Sequence, residues 1–254
     1  MSAMFTVEQR ARWRQALLDM ARADPRIVAG AEVGSLAVGP GDRWSDLDLT
    51  FGLADGTTPR HMLDQWTPRL EHAFDAVQLF DLPHQSSLYR VFLFPGALQV
   101  DLSFTPAAEF GALGPKFRLL FGNATERARP ASAPAPQLFG LAVHHAVRAR
   151  FCIERGQVWQ AEYWVSGVRD QAMALACRRR GLEAAHARGA DALPAEVRAA
   201  CEPALVRSLE RDELLRALEA AIELLLRESG EAADVAARVE RDLRALASQP
   251  LAGG

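Results

Sequence analysis

Gly34-Ser35, then ten residues, then Asp46-Leu47-Asp48-Leu49-Thr50-Phe51 is the stretch on which the fold turns. An apolar run containing Ile27, Val28, Ala29 and Val33 leads into the Gly-Ser turn. Side chains two apart on a strand share a face. Asp46 and Asp48 therefore project together, while Leu47, Leu49 and Phe51 point the other way into a core. Neighbouring carboxylates repel unless a cation sits between them, and the usual solution is a hard divalent ion with oxygen ligands, such as magnesium. The Gly-Ser turn offers backbone N–H groups and a hydroxyl, which suit a phosphate.

A later run, Leu98-Gln99-Val100-Asp101-Leu102-Ser103-Phe104, alternates in the same way. Val100, Leu102 and Phe104 share one face; Asp101 and Ser103 share the other. If this strand pairs with the first, Asp101 joins Asp46 and Asp48. Three carboxylates can hold one or two metals and leave one free to act as a base.

Gly-Ser, a spacer, Asp-x-Asp and a later lone Asp between apolar residues resemble the nucleotidyltransferase superfamily with the DNA polymerase β-like core, over residues 25–105. Chain length and a helical second half resemble its antibiotic-modifying members, of the kanamycin and lincosamide kind. The resemblance implies magnesium-dependent transfer of a nucleoside monophosphate, AMP, from ATP or another nucleoside triphosphate. The acceptor would be a hydroxyl of a small molecule, such as an aminoglycoside or lincosamide. Asp46, Asp48 and Asp101 would hold metal, with Asp101 alternatively activating the acceptor, and Gly34 and Ser35 would cradle the outgoing phosphates. Two other readings stand beside this one. An antitoxin-like member that adenylylates a protein is usually shorter and lacks the helical half. A catalytically silent nucleotide sensor has no need of all three aspartates.

Composition narrows the partners. A 254-residue chain with a formal net charge of −3 lacks the excess basic charge used to grip extended nucleic acid. The first residues carry no signal-like apolar segment, and no run reaches the length of a membrane span. The three cysteines, Cys152, Cys177 and Cys201, lie far apart without CxxC spacing and read as thiols in a reducing cytoplasm. No oligomeric state follows from the sequence.

The expected fold class is α+β. A mixed nucleotidyltransferase sheet with flanking helices would occupy residues 1–129, a Pro/Ala linker 130–136, and an all-α substrate-binding bundle 137–254. Expected elements of the first part are a helix capped by Thr6 with Gln9, and a helix opened by Thr58-Pro59. Strands are expected at 76–80 and 88–94, with a loop over 81–85 between them. In the second part, Leu214, Leu218, Ile222 and Leu225 mark a helical stripe.

Other candidates are weaker. Glu162 lies in a segment resembling the helix that carries a general base in the kanamycin-modifying enzymes; the alternative is an ion pair with Arg169 that braces the structure. Lys116, the only lysine in the chain, is a candidate for the nucleotide phosphates, as is Arg90 on the strand beside Asp101. Trp44 could stack on a ring or serve the turn. His144 and His145 are adjacent, with no partner at metal-binding spacing.

Overall fold

The computed structural model describes residues 4–128 and 133–248. The chain divides into two compact units, Met1–Ala131 and Ser132–Gly254.

The first unit opens with α1 (Val7–Ala23), whose first turn is closed by a reciprocal capping box between Thr6 and Gln9. Next come β1 (Ile27–Val33), a 3-10 turn at Gly34–Ala37, and β2 (Leu47–Leu53). Helix α2 (Pro59–Phe74) starts with its Thr58 cap and Pro59 in the first turn, where a missing N–H has no cost. β3 (Val77–His84), β4 (Ser87–Phe94), β5 (Leu98–Pro106) and β6 (Phe117–Phe121) complete the unit. The sheet has six strands in the order β3-β4-β5-β2-β1-β6. β2 and β5 run parallel; the other pairs are antiparallel, so the sheet is mixed.

Strand alternation decides which face is covered. Leu47, Leu49 and Phe51 of β2 cluster with Val100, Leu102 and Phe104 of β5 and with Leu17, Leu63, Trp66 and Leu70 from the helices. Both helices thus take the face that Asp48 and Asp101 avoid. On the opposite face, the small side chains Ala29 and Ala31 leave room for Phe110, which packs there with Phe117.

Two local expectations change. Residues 81–84, expected as a loop, continue β3 down to the hairpin turn. Pro83 is tolerated because β3 is an edge strand, where a missing N–H breaks no ladder. β6, five residues long, was not expected at all; its run is short and interrupted by Arg118.

The second unit is all-α, with α3 (Ala135–Glu154), α4 (Val158–Arg179), α5 (Ala195–Cys201), α6 (Arg211–Arg227) and α7 (Ala233–Ser248). Helix α3 begins at Ala135, so the expected linker is shorter at its end, with Pro136 in the first turn. Residues 130–132 of that linker lie outside the described residues. The core joins Leu214, Leu218, Ile222 and Leu225 of α6 to Phe139 and Val165, with alanines letting the helices approach. All three cysteines are buried and unbridged. No helix among the described residues is long and apolar enough to cross a membrane.

Candidate functional site

Asp48 and Asp101 stand directly opposite one another on the parallel strands β2 and β5. Like charges so placed weaken a sheet unless something compensates them. Burial pushes the Asp101 carboxyl above the usual range; a hydrogen bond from the Gln99 amide opposes this, and the Asp46 charge adds to it. That amide donates at 3.0 Å. Asp46 is half-buried, two residues ahead of Asp48 and just before β2 begins.

The Gly-Ser turn closes against this row. Gly34 has φ +73°, and a methyl group on its Cα would lie 2.1 Å from Oδ2 of Asp48. Only glycine combines that backbone conformation with so close an approach. The Ser35 hydroxyl is shielded from solvent and has no hydrogen-bond partner. Buried polar atoms are rarely left so.

The residues fit a magnesium–triphosphate better than an isolated ion. Among the described residues, no group of three or more His, Cys, Asp or Glu side chains forms a ready metal cage. Magnesium does not need one, since it binds through one or two carboxylates together with substrate phosphates and water.

The turn before Asp46 is built rigidly. Arg10 of α1 is buried and donates to the carbonyls of Asp42 at 2.8 Å and Ser45 at 2.6 Å. The Asp42 carboxylate accepts from the backbone N–H of Trp44 at 2.8 Å and from the Ser45 hydroxyl at 3.1 Å. Trp44 is left exposed, with the Arg43 guanidinium 4.6 Å from its ring centre.

Beyond the carboxylates the same face carries hydroxyls. Thr50 and Tyr89 both pair with Ser103, and the Ser87 and Thr105 hydroxyls share a 2.7 Å hydrogen bond. Thr50, Ser87, Tyr89 and Thr105 line a cavity of about 150 Å³ whose wall includes Lys116 and Arg127. Lys116 is thus brought to the Asp101 face of the sheet.

Arg90 is not. On β4 it shares the parity of Phe92 and Phe94, which face the helices, whereas Asp101 pairs with Val91. Its guanidinium is buried and donates to Asp81 at 2.6 and 2.8 Å, Thr67 at 2.9 Å and Asp64 at 3.1 Å. Arg90 is a brace between β3 and α2, and its assignment to nucleotide phosphates is corrected.

Glu162 lies on α4 in the second unit, half-buried, and accepts from the Ser166 hydroxyl at 2.8 Å. Arg169 pairs with Asp170 at 2.8 Å, so the expected Glu162–Arg169 brace is replaced by a neighbouring pair. His144 and His145 both lie against Trp164, with ring centres 5.9 and 5.1 Å away.

Tyr89, Ser87, Thr105 and Arg127 were not expected at the site. Strand parity could have found the first three, because β4 and β5 alternate in step with Asp101. Arg127 comes from irregular chain after β6, where no periodicity points to it.

No family model matches the chain, and no curated protein matches it. Among solved structures it is similar to an aminoglycoside 6-adenyltransferase from Bacillus subtilis, at 12% identity and a TM-score of 0.38. That alignment covers 97% of this chain and 100% of the other. So distant a likeness leaves the assignment of function to the site.

Proposed function

We propose that this protein is a magnesium-dependent nucleotidyltransferase that moves a nucleoside monophosphate, AMP in the simplest case, from a triphosphate to a hydroxyl of a small molecule. One observation carries the reading: Asp48 and Asp101 are in register on parallel strands, with the Gly34 backbone against Asp48 and a buried, unpartnered hydroxyl on Ser35, the next residue of the turn. Asp46, Asp48 and Asp101 would hold the metal, which supplies charge neutralisation at the phosphates when bound. Ser35 would donate to a phosphate oxygen and so acquire the partner it lacks. In the transfer, the acceptor oxygen bonds to the α-phosphorus, the bond from that phosphorus to the bridging oxygen breaks, and pyrophosphate leaves. The acceptor proton goes to a carboxylate, for which Glu162, oriented by Ser166, is the proposed base.

The acid-lined face favours a cationic acceptor, and an aminoglycoside or lincosamide has both the charge and the hydroxyls. The test is incubation of the full chain with labelled triphosphates, magnesium and a panel of such acceptors, beside Asp46→Asn and Asp48→Asn. Transfer by the wild type and its loss in both variants is expected. Equal turnover by either variant would remove the aspartates from the reaction, and no label transfer to any acceptor would count against the acceptor class.

A further inference from the structure

The cavity beside the aspartate row has the features of an anion site. Its volume, about 150 Å³, is below the roughly 300 Å³ at which pockets begin to take whole drug-sized ligands. Its size suits only a compact group. Its lining joins two cations, Lys116 and Arg127, to the hydroxyl-bearing Thr50, Ser87, Tyr89 and Thr105. Burial keeps the Tyr89 phenol above its usual range; a hydrogen bond with Ser103 and the Arg127 charge oppose this, and the Asp48 and Asp101 charges add to it. Tyr89 therefore remains a hydroxyl donor at neutral pH.

Neither cation is neutralised from within. Arg14, Arg26, Arg60, Arg90 and Arg118 of the same unit all meet carboxylates. Among the described residues, no carboxylate stands within ion-pair distance of Lys116 or Arg127; Arg127 donates only to the neutral Gln85 amide. The scaffold bringing them together is fixed. Thr125 donates to the Phe110 carbonyl from its backbone at 2.7 Å and from its hydroxyl at 3.0 Å. At Gly111 a Cβ would fall 1.9 Å from the Thr125 carbonyl oxygen, so the two chain segments touch backbone to backbone. Phe110 then anchors that joint on Ala29 and Ala31.

We infer that this cavity is an oxyanion pocket that takes a phosphate group through Lys116, Arg127 and the Tyr89 hydroxyl. Thr50 and Thr105 lie two and four residues along the strands from Asp48 and Asp101, so the pocket begins roughly 7 Å from the carboxylates. The group it holds is either the far end of a triphosphate gripped at the aspartates or a free phosphate or pyrophosphate. Its role in steering the leaving pyrophosphate rests on the transferase reading; the binding itself does not.

The experiment is calorimetric titration of the full chain with inorganic pyrophosphate in metal-free buffer containing chelator, at low salt. Saturable binding is expected. Arg127→Met and Lys116→Met should each weaken it by about ten-fold or more, since each removes a charge-assisted hydrogen bond. Asp48→Asn should leave it equal or tighter. Lys116 is exposed, so its variant keeps the test readable if Arg127→Met folds poorly. A parallel titration with the magnesium complex of a non-hydrolysable triphosphate separates the sources. The same loss in Arg127→Met assigns the pocket to the nucleotide's terminal phosphate, and a loss confined to pyrophosphate assigns it to the free anion. Absence of saturable pyrophosphate binding, indifference to both cation substitutions, or loss of binding in Asp48→Asn would each overturn the inference. None of these readings requires the chain to transfer anything.

Discussion

Gly34→Ala probes the joint between the Gly-Ser turn and the aspartate row. The new methyl would meet Oδ2 of Asp48 at 2.1 Å and its Cγ at 3.1 Å, while φ stays at +73°. Two terms add. A left-handed alanine costs about 1–2 kcal/mol. Driving the Asp48 carboxylate off its rotamer costs about 0.5–1.5 kcal/mol more. A loss of about 1.5–3.5 kcal/mol lowers the melting temperature of a chain this size by roughly 3–14 °C. Activity should fall much further, since a displacement of about 1 Å at a reacting centre can cost about 10²-fold in rate. Repeating the substitution in an Asp48→Ala background isolates the second term. The Asp48 Cβ would be 3.7 Å from the new methyl, an ordinary contact, so only the backbone cost should remain. The assay is calorimetric melting of the four proteins of the cycle, with transfer measured on wild type and Gly34→Ala. A melting-point drop of the same size in both backgrounds, or wild-type transfer by Gly34→Ala, would refute the claim that turn and carboxylate form one unit.

Four further outcomes are expected. Asp101→Asn should abolish transfer while melting is unchanged or raised by up to about 1 kcal/mol in metal-free buffer, because it relieves an in-register like-charge pair; a clear loss of stability would show that the Asp101 charge is structural. Arg90→Met should cost about 1.5–3 kcal/mol in denaturant unfolding, since it removes charge-assisted hydrogen bonds from a mostly buried Asp81 that keeps only the exposed Arg60, yet leave triphosphate affinity of the folded protein unchanged; a selective loss of affinity would return Arg90 to the binding site. The Arg90 guanidinium, with Arg60 adding, holds the Asp81 carboxyl below its usual range. That stabilisation is complete above the ordinary aspartate pKa of about 3.9 and fades as pH falls through the depressed value, so Asp81→Asn should flatten the acid limb of the stability curve. Glu162→Gln should slow transfer by about 10²–10⁴-fold with normal melting and nucleotide affinity, and an unaffected rate would remove it from the base role.

Local rules were enough for much of this protein. Alternation in 47–51 and 98–104 assigned each aspartate to the face opposite the core, because the strand period is two and a slip of one residue would bury a carboxylate. The Thr6–Gln9 box and Thr58-Pro59 located their helices, because caps are satisfied within a few residues of chain. Tertiary structure alone decided the rest. Whether β5 pairs with β2, and in what register, depends on a crossover through α2 and a hairpin, and no local signal encodes it. Arg90 looked available for phosphate until β4 was seen to turn that side chain toward α2 and Asp81. Lys116 and Arg127 reach one cavity only because Phe110 and Gly111 tie two irregular segments together. Sequence thus determined which way β2 and β5 face, since that follows from neighbours along the chain. Which charges meet, and which are already neutralised, was decided by contacts between residues far apart in it.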